Sequence, residues 1–214
     1  MSNDRFSWDL FNKAPIVGIV RGYDETIVSK IADSFLASGL TTIEVTMNTD
    51  NATKIIGNLR QKHSNLNIGA GTVCNIEDLD QALSAGSQFI VTPIINEAVI
   101  EKCVSKNIPV FPGAYTPSEI YKAYSLGASA VKVFPATQLG TQYIKDVLAP
   151  LDKVKLLPTG GVTKENIKSF FEVGSIGVGM GSSLLNKTYI NTGDFNKLIT
   201  HFNEIKEEIN DFII

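Results

Sequence analysis

The sequence predicts an α/β protein, a single (β/α)₈ barrel that spans all 214 residues. Short apolar runs alternate along the chain with amphipathic segments of helix length. Such alternation builds parallel sheets, because each helix returns the chain to the start of the next strand. No linker or low-complexity stretch divides the sequence. We therefore expect one domain over residues 1–214, with a short N-terminal extension before the barrel and a helix after it.

Eight of the apolar runs are predicted strands, and the segments between them repeat apolar residues every three or four positions. The predicted strands cover residues 15–20, 42–46, 67–70, 88–92, 109–111, 130–134, 154–157 and 176–179. The clearest helical patterns cover residues 25–38, 76–85, 97–106 and 164–173. A polar helix over residues 193–212 ends the chain, and we expect it to pack outside the barrel.

A weak internal repeat favours a closed barrel. Gly39, Gly86, Gly127 and Gly174 each end a helical pattern and precede a strand, at intervals of 41 to 47 residues. Glycine suits these positions because the residue after a helix commonly takes a left-handed conformation. The interval is close to two strand-helix units, so every second predicted strand follows the same signal.

The composition excludes partners that need a strongly basic surface. The formal net charge is −3, so there is no polybasic surface for nucleic acid or an anionic membrane. Cys74 and Cys103 fit no disulfide framework or metal-ligand spacing. The N-terminus lacks the apolar core of a signal peptide, and no run approaches the roughly 20 apolar residues of a membrane span. We expect a cytoplasmic protein without nucleic-acid or membrane partners.

Lys132 is the most informative residue, because it lies inside an apolar predicted strand, just before Pro135. Moving an unpaired ammonium into an apolar interior is costly, and the usual result is a depressed pKa and a neutral amine. A neutral amine is a nucleophile toward carbonyl carbon. Glu44 is a second charge in a similar strand, residues 42–46. Together these residues predict Schiff-base chemistry on a carbonyl substrate.

The alternation of side chains along a strand predicts that Lys132 and Glu44 share one interior. If Ile43 and Val45 face the helices, Glu44 faces the barrel, and Lys132 does so by the same reasoning. Both lie toward the C-terminal ends of their strands, where barrel enzymes carry their chemistry. The alternative is a buried structural ion pair, which also perturbs pKa values.

Glycine-rich turns follow the last two predicted strands. Gly160 and Gly161 follow the seventh, and a run from Gly177 to Ser183 follows the eighth and is expected to open a short helix. Glycines let backbone amides approach an anion, and barrels frequently bind phosphate at this place. The alternative is that these glycines only make tight turns. No nucleotide-binding GxxxxGK[ST] motif occurs.

Six motifs, taken in order, resemble those of the class I 2-keto-3-deoxy-6-phosphogluconate (KDPG) aldolases. That family includes 4-hydroxy-2-oxoglutarate (KHG) aldolase and the 6-phosphogalactonate (KDPGal) enzyme. The motifs are IEVT at 43–46, GAGTV at 69–73, VTP at 91–93, PG at 112–113, VKVFPA at 131–136 and PTGGV at 158–162. The resemblance implies a (β/α)₈ barrel, a homotrimer, no metal or other cofactor, and reversible cleavage of KDPG to pyruvate and D-glyceraldehyde 3-phosphate.

The resemblance also implies roles for individual residues. Lys132 is the Schiff-base lysine, and Glu44 is the acid and base that works through a bound water. Positions that line the pyruvate pocket in the family are occupied by Thr72, Pro93 and Phe134, and the phosphate end is occupied by Gly160, Gly161 and Ser182. Taken singly, Thr72 could be a turn hydroxyl, Pro93 a strand terminator and Phe134 a core residue.

This chain departs from the KDPG pattern at Asn48, where many of those aldolases carry an arginine. Its arginine is Arg21 at the end of the first predicted strand, similar to the KDPGal branch. We expect Arg21 to bind the substrate carboxylate through paired donors, the alternative being a solvated rim arginine. Thr159 resembles the KDPG branch, where it can bond the C4 hydroxyl. The two branch markers disagree, so both KDPG and KDPGal remain candidate substrates, with 4-hydroxy-2-oxoglutarate as a further one.

Two other functions remain open at this level, because a barrel fold alone decides none. One is an isomerase or synthase that binds phosphate and uses Lys132 only as a charge. The other is a non-enzymatic phosphosugar-binding barrel. His63 and His201 lie in polar helical stretches and are predicted to be surface residues, which gives a histidine mechanism little support.

Overall fold

The computed structural model describes residues 5–213 and has an α/β fold in which helices surround curled parallel sheets. The strands are β1 (Ile16–Val20), β2 (Thr42–Thr46), β3 (Asn67–Gly71), β4 (Ile90–Val91), β5 (Val110–Phe111), β6 (Gly113–Ala114), β7 (Val131–Val133), β8 (Leu156–Pro158) and β9 (Val178–Met180). The α-helices are α1 (Trp8–Lys13), α2 (Glu25–Ser38), α3 (Ala52–Lys62), α4 (Ile76–Ser84), α5 (Glu97–Ser105), α6 (Pro117–Ser125), α7 (Gly140–Leu148), α8 (Ile167–Glu172), α9 (Lys187–Asn191) and α10 (Phe195–Glu207).

All strand pairs are parallel, as the alternating pattern predicts. One sheet has the order β5-β4-β3-β2-β1-β9, and the other has the order β6-β7-β8. A bridge between Thr159 and Gly179 joins the sheets on one side. On the other side only Pro112 separates β5 from β6, and a proline cannot donate to a strand ladder. The sequence did not predict β6.

Several predicted boundaries differ from the observed ones, because strand ends are set by pairing with neighbours. The strands β4, β7 and β9 are shorter than their apolar runs, and β8 starts at Leu156 where the run starts at Val154. The short helix expected to open from residues 177–183 begins later, at Lys187, as α9. Amides of Leu184 and Leu185 both bond to Gly181 O, which closes a single turn before α9 begins.

The four repeat glycines have the left-handed backbone that the sequence predicts. Their φ angles are 76° at Gly39, 90° at Gly86, 91° at Gly127 and 101° at Gly174. A side chain would strain each of these positions. The glycine signal is therefore confirmed as the end of α2, α4, α6 and α8.

Strand residues alternate between two apolar clusters. Ile43, Val45 and Val131 pack with the helices, whereas Val17 and Phe111 belong to a cluster inside the curled sheet. The inner cluster also includes Phe6 and Phe11 from the N-terminal segment. Glu44 and Lys132 are polar residues of β2 and β7 that are likewise buried.

The N-terminal extension packs against the apolar cluster inside the curled sheet. Phe6 packs edge-on against Phe89 and Phe111, with ring centroids 5.3 Å and 6.1 Å apart. Asn67 of β3 holds this segment, since its amide accepts from Ser7 N and donates to Ser7 O, both at 2.8 Å. Residues 1–4 of the extension lie outside the described part of the chain.

The C-terminal helix packs outside the sheet, as predicted. Phe202 of α10 meets Phe35 of α2 with ring centroids 5.0 Å apart. The surface prediction for His63 is wrong, because this residue ends α3 against α2 and only 3% of it is exposed. The prediction for His201 is also wrong in part, because its ring bonds to Ser183 O at 2.9 Å and is half-buried. Within residues 5–213, no helix is both long and apolar enough to cross a membrane.

Candidate active site

Lys132 lies at the centre of β7, paired with Gly113 of β6 and Leu157 of β8. Only 4% of the residue is exposed. Burial lowers the pKa of its ammonium group, while the nearby Glu44 carboxylate opposes that shift and the Arg21 charge adds to it. The amine is therefore available in its neutral form at a lower pH than an ordinary lysine.

The Lys132 side chain borders a cavity of about 340 Å³ that opens at the C-terminal ends of the strands. Phe134 stands at its mouth, with Lys132 Nζ 4.9 Å from the ring centroid. A lysine over an aromatic face gains electrostatic attraction. The Phe134 ring and the Lys132 amine are therefore neighbours in the lining of the cavity.

Glu44 occupies the centre of β2, level with Ile19 of β1 and Gly69 of β3. It is 1% exposed, and burial raises the pKa of its carboxyl group although Lys132 and Arg21 pull that pKa down. Its Oε1 has no hydrogen-bond partner among the described residues. A buried carboxylate oxygen without a partner is costly unless it serves a site.

Lys132 and Glu44 influence each other electrostatically, but among the described residues no ion pair joins them. A structural salt bridge would place the ammonium directly on the carboxylate. The geometry instead leaves both groups facing a shared interior. This arrangement suits a nucleophile and a separate proton carrier.

Arg21 follows β1 and reaches inward although part of its side chain is exposed. Its Nη2 donates to Thr72 Oγ1 at 3.4 Å. Thr72 has a φ of 56°, a left-handed conformation that is rare for a β-branched residue. The left-handed backbone at Thr72 presents the hydroxyl to Arg21, an exposed residue that also borders the cavity.

Pro93 packs against Gly113 of β6, the strand next to the one that carries Lys132. A Cβ added to Gly113 would overlap the Pro93 backbone, and Gly113 is the β6 partner of Lys132. The glycine therefore lets the β4 loop approach β6 closely. Pro93, Thr72 and Glu44 do not line the cavity that Lys132 borders, whereas the other predicted site residues do.

The glycine-rich turns form one wall of the same cavity. Gly160 and Gly161 have φ angles of 87° and 80°, and they line it together with Thr159 and Ser182. Thr159 Oγ1 donates to Leu157 O at 3.3 Å and lies against Gly179. Ser183 Oγ donates to Val162 O at 2.6 Å, which ties the turn after β9 to the loop after β8.

Sequence reasoning missed several residues of this region. Tyr23 and Lys187 line the cavity, and neither lies in a motif that predicts it. Gly71 makes room for Glu44 and could have been suspected from the GAGTV motif. Asn48 lines a separate polar cavity beside α3, so it does not reach Lys132. No group of three or more His, Cys, Asp or Glu side chains suited to a metal ion occurs within residues 5–213.

Comparison with known proteins finds sequences and structures similar to this chain. Residues 9–201 match the sequence profile of the family described as KDPG and KHG aldolase. The chain is 33% identical over 185 residues to the 2-dehydro-3-deoxy-phosphogluconate aldolase of Treponema pallidum, covering 86% of this chain and 87% of that one. It is also 33% identical over 174 residues to the 2-dehydro-3-deoxy-6-phosphogalactonate aldolase of Escherichia coli K12, covering 80% and 85%. A solved structure described as native KDPGal superposes with a TM-score of 0.87 at 28% identity, covering 97% and 98% of the two chains.

Proposed function

This chain belongs to the KDPG and KHG aldolase family, which makes it an aldehyde lyase, and we propose that it works through a Schiff base on Lys132. Its substrate is a phosphorylated 2-keto-3-deoxy sugar acid. The reaction is reversible cleavage of KDPG to pyruvate and D-glyceraldehyde 3-phosphate. The observation that carries this proposal is the buried Lys132 amine, with its lowered pKa, at the edge of an open cavity.

The first steps of the proposed reaction belong to Lys132. Its neutral amine attacks the C2 ketone, and loss of water gives a protonated imine. The imine withdraws electrons from C3, so the bond between C3 and C4 becomes breakable. Arg21 is proposed to hold the C1 carboxylate through paired donors, and Thr72, Pro93 and Phe134 to enclose the pyruvyl part.

Glu44 is proposed to move the proton, through a water molecule. Its carboxylate takes the proton of the C4 hydroxyl, the C3–C4 bond breaks, and the aldehyde leaves. The same group then returns a proton to C3 of the enamine, and hydrolysis frees pyruvate. A carboxyl group whose pKa is raised by burial is suited to both giving and taking a proton near neutral pH.

The far end of the substrate is proposed to bind the glycine-rich wall. Backbone amides around Gly160, Gly161 and Ser182 can approach a phosphate without side-chain obstruction. Holding the phosphate fixes C4 relative to Glu44, and such positioning can lower the barrier by several kcal/mol, up to about 7. Thr159 lines the same cavity as Lys132 and this wall, and its hydroxyl is the proposed partner of the C4 oxygen.

KDPGal is the second candidate substrate, and Arg21 is the observation that favours it. The arginine beside the cavity comes from the end of β1, as in the KDPGal branch, and Asn48 points elsewhere. The two epimers differ only at C4, where Thr159 is the proposed contact. Activity on 4-hydroxy-2-oxoglutarate, which gives pyruvate and glyoxylate, is also part of the proposal.

We further propose that the two sheets form one closed (β/α)₈ barrel within a single domain. The support is the Thr159–Gly179 bridge on one side and the single-residue gap at Pro112 on the other. A cytoplasmic location is proposed with it, because both cysteines are free thiols, which are typical of reducing compartments.

A homotrimer is the proposed assembly. Apolar side chains remain exposed along the loops after β4, β6 and β7 and on α6, namely Ile94, Tyr115, Tyr121, Tyr124 and Phe134. A concentration of exposed large apolar residues on one part of a surface is typical of an interface. If the proposal holds, analytical ultracentrifugation should give the mass of three chains.

Borohydride trapping tests the central proposal. Incubation with pyruvate and borohydride should add one reduced pyruvyl group, and peptide mass spectrometry should locate it on Lys132. Lys132→Ala should give no adduct and no cleavage while keeping the circular dichroism spectrum of the parent. No adduct on the parent, or an adduct elsewhere with Lys132 unmodified, would sink the Schiff-base mechanism.

A further inference from the structure

The cavity beside Lys132 is lined by basic side chains without an acidic counterpart. Among the described residues that border it, the charged ones are Arg21, Lys132 and Lys187. Two of these already have proposed tasks, at the carboxylate and at the ketone. Lys187 has none. An exclusively basic lining favours a substrate with a negative charge at each end.

The local fold places Lys187, an exposed residue, beside the glycine-rich wall. This lysine is the first residue of α9, and the preceding Asn186 caps that helix by accepting from Thr188 N and Tyr189 N. Bonds from the Leu184 and Leu185 amides to Gly181 O fold the intervening turn back on itself. Lys187 therefore stands next to the turn that carries Ser182, and both residues line the cavity.

The Lys187 ammonium has no acidic partner in the part of the chain that the structure describes. Elsewhere among the described residues, seven other lysines form ion pairs, among them Lys164 with Glu204 and Lys197 with Asp194, each at 2.9 Å. A cation that borders a cavity and is not neutralised by a carboxylate remains available for an anionic ligand.

We infer that Lys187 binds the terminal phosphate of the substrate and selects phosphorylated aldehydes over unphosphorylated ones. The backbone amides of the glycine-rich wall supply directional donors, and the ammonium supplies the charge. A phosphate that enters between them is held from two elements, the loop after β8 and the start of α9. This inference rests on the proposed aldolase function and adds to it the residue that sets the preference for a phosphorylated substrate.

The test compares two aldehydes in the synthetic direction with pyruvate. Lys187→Met keeps the apolar stem and removes the charge. We expect kcat/KM for D-glyceraldehyde 3-phosphate to fall about tenfold to a hundredfold, the usual loss for a hydrogen bond to a charged group. The kcat/KM of Lys187→Met for D-glyceraldehyde should stay within about twofold of the parent value. Lys187→Arg should recover most of the loss, because it restores a cationic donor.

A matched control separates this effect from a general loss of surface charge. Lys106 lies between α5 and β5. Lys106→Met removes the same charge there and should leave kcat/KM for both aldehydes unchanged. Binding of inorganic phosphate, followed by isothermal titration calorimetry, should weaken in Lys187→Met and not in Lys106→Met. An equal loss for both aldehydes, or unchanged phosphate binding, would overturn the inference.

The failure of this inference differs from a failure of the proposed function. If pyruvate trapping on Lys132 succeeds while Lys187→Met behaves as the parent, only the role of Lys187 is refuted. If the parent forms no Schiff base, the proposed reaction is refuted, and the phosphate titration still decides whether Lys187 binds the anion.

Discussion

The Glu44 carboxylate occupies the space that a side chain at position 71 would need. A Cβ built on Gly71 would lie well within 3.0 Å of Glu44 Oε1, a separation that real Cβ atoms essentially never show. Gly71 ends β3, beside the strand that carries Glu44. The position of the proposed proton carrier therefore depends on a glycine in the neighbouring strand, and this relationship can be tested directly.

Gly71→Ala should displace Glu44 and lower kcat by about 10² to 10⁴, the range for loss of a general acid or base. The control is Gly57→Ala inside α3, where the nearest atom to an added Cβ is Ala85 O at 3.8 Å. That change should keep activity and raise the free energy of unfolding by up to about 1 kcal/mol. Full activity in Gly71→Ala would show that Glu44 can do its work from another position.

If Gly71→Ala is too unstable to assay, a second substitution keeps the question open to experiment. Removing the carboxylate with Glu44→Ala relieves the overlap, so the double variant should be more stable than Gly71→Ala alone, by a coupling measurable in chemical denaturation. Additive losses in the two variants would mean that the side chains do not compete for the same space.

Glu44→Gln should slow overall cleavage by about 10² to 10⁴ while leaving the rate of imine formation with pyruvate much less affected. The reason is that the carboxylate is assigned to proton transfer and not to the attack by Lys132. Stopped-flow or quenched borohydride trapping measures imine formation, and a coupled assay measures turnover. Parent-like cleavage by Glu44→Gln would reduce Glu44 to a structural neighbour of Lys132.

The pH dependence of trapping reports the Lys132 pKa. The amine reacts only when neutral, so trapping should rise with pH around a midpoint below the ordinary lysine value of 10.5, because burial lowers this pKa. Glu44→Gln removes a charge that raises the pKa, and its midpoint should move further down. Arg21→Ala removes a charge that lowers the pKa, so its midpoint should move up. Shifts of the opposite sign would contradict the assigned electrostatics.

Arg21→Ala should weaken binding of pyruvate and of the whole substrate alike, by about 1.5 to 3 kcal/mol for a lost charge-assisted hydrogen bond. Affinity for inorganic phosphate should barely change, because the phosphate end lies on the other turns. Initial-rate kinetics and calorimetry give the two affinities. Unchanged pyruvate affinity would show that Arg21 is a solvated arginine at the rim and does not hold the carboxylate.

Thr159→Val tests which C4 epimer the site prefers. If the Thr159 hydroxyl bonds the C4 oxygen, the parent should favour KDPG over KDPGal, and the variant should lose that preference selectively. A site built to bond a hydroxyl discriminates because the wrong isomer leaves a buried group unpaired. The measurement is kcat/KM for both epimers. Equal activity of the parent on both would remove Thr159 as the stereochemical determinant.

Local patterns in the sequence determined much of the fold. The helical period of residues 25–38 predicts α2 with the bounds that the structure has, Glu25–Ser38, because one apolar face must pack on the sheet. Parity along β2 predicts that Ile43 and Val45 face the helices and Glu44 the interior, and all three are buried as that requires. These features depend on neighbours within one element, so a single sequence contains them.

Only the tertiary structure decided what distant elements do to each other. No helix was predicted in the N-terminal extension, yet it forms α1, and Phe6 just before that helix is buried against Phe89 and Phe111, which are far away in the chain. His63 lies in a polar stretch, and its burial follows from the packing of α3 against α2. Side-chain patterns within a segment cannot report such contacts.

The candidate site divides in the same way. Residue type and position within a strand predicted an interior amine and carboxylate, because a charge in an apolar run needs a reason. The meeting of Arg21 with Thr72 across 51 residues, the room that Gly71 gives to Glu44, and the place of Lys187 beside the cavity came from the folded chain alone. They depend on how strands are ordered and how loops turn, and these are set by the summed packing of the whole structure and not by any local sequence signal.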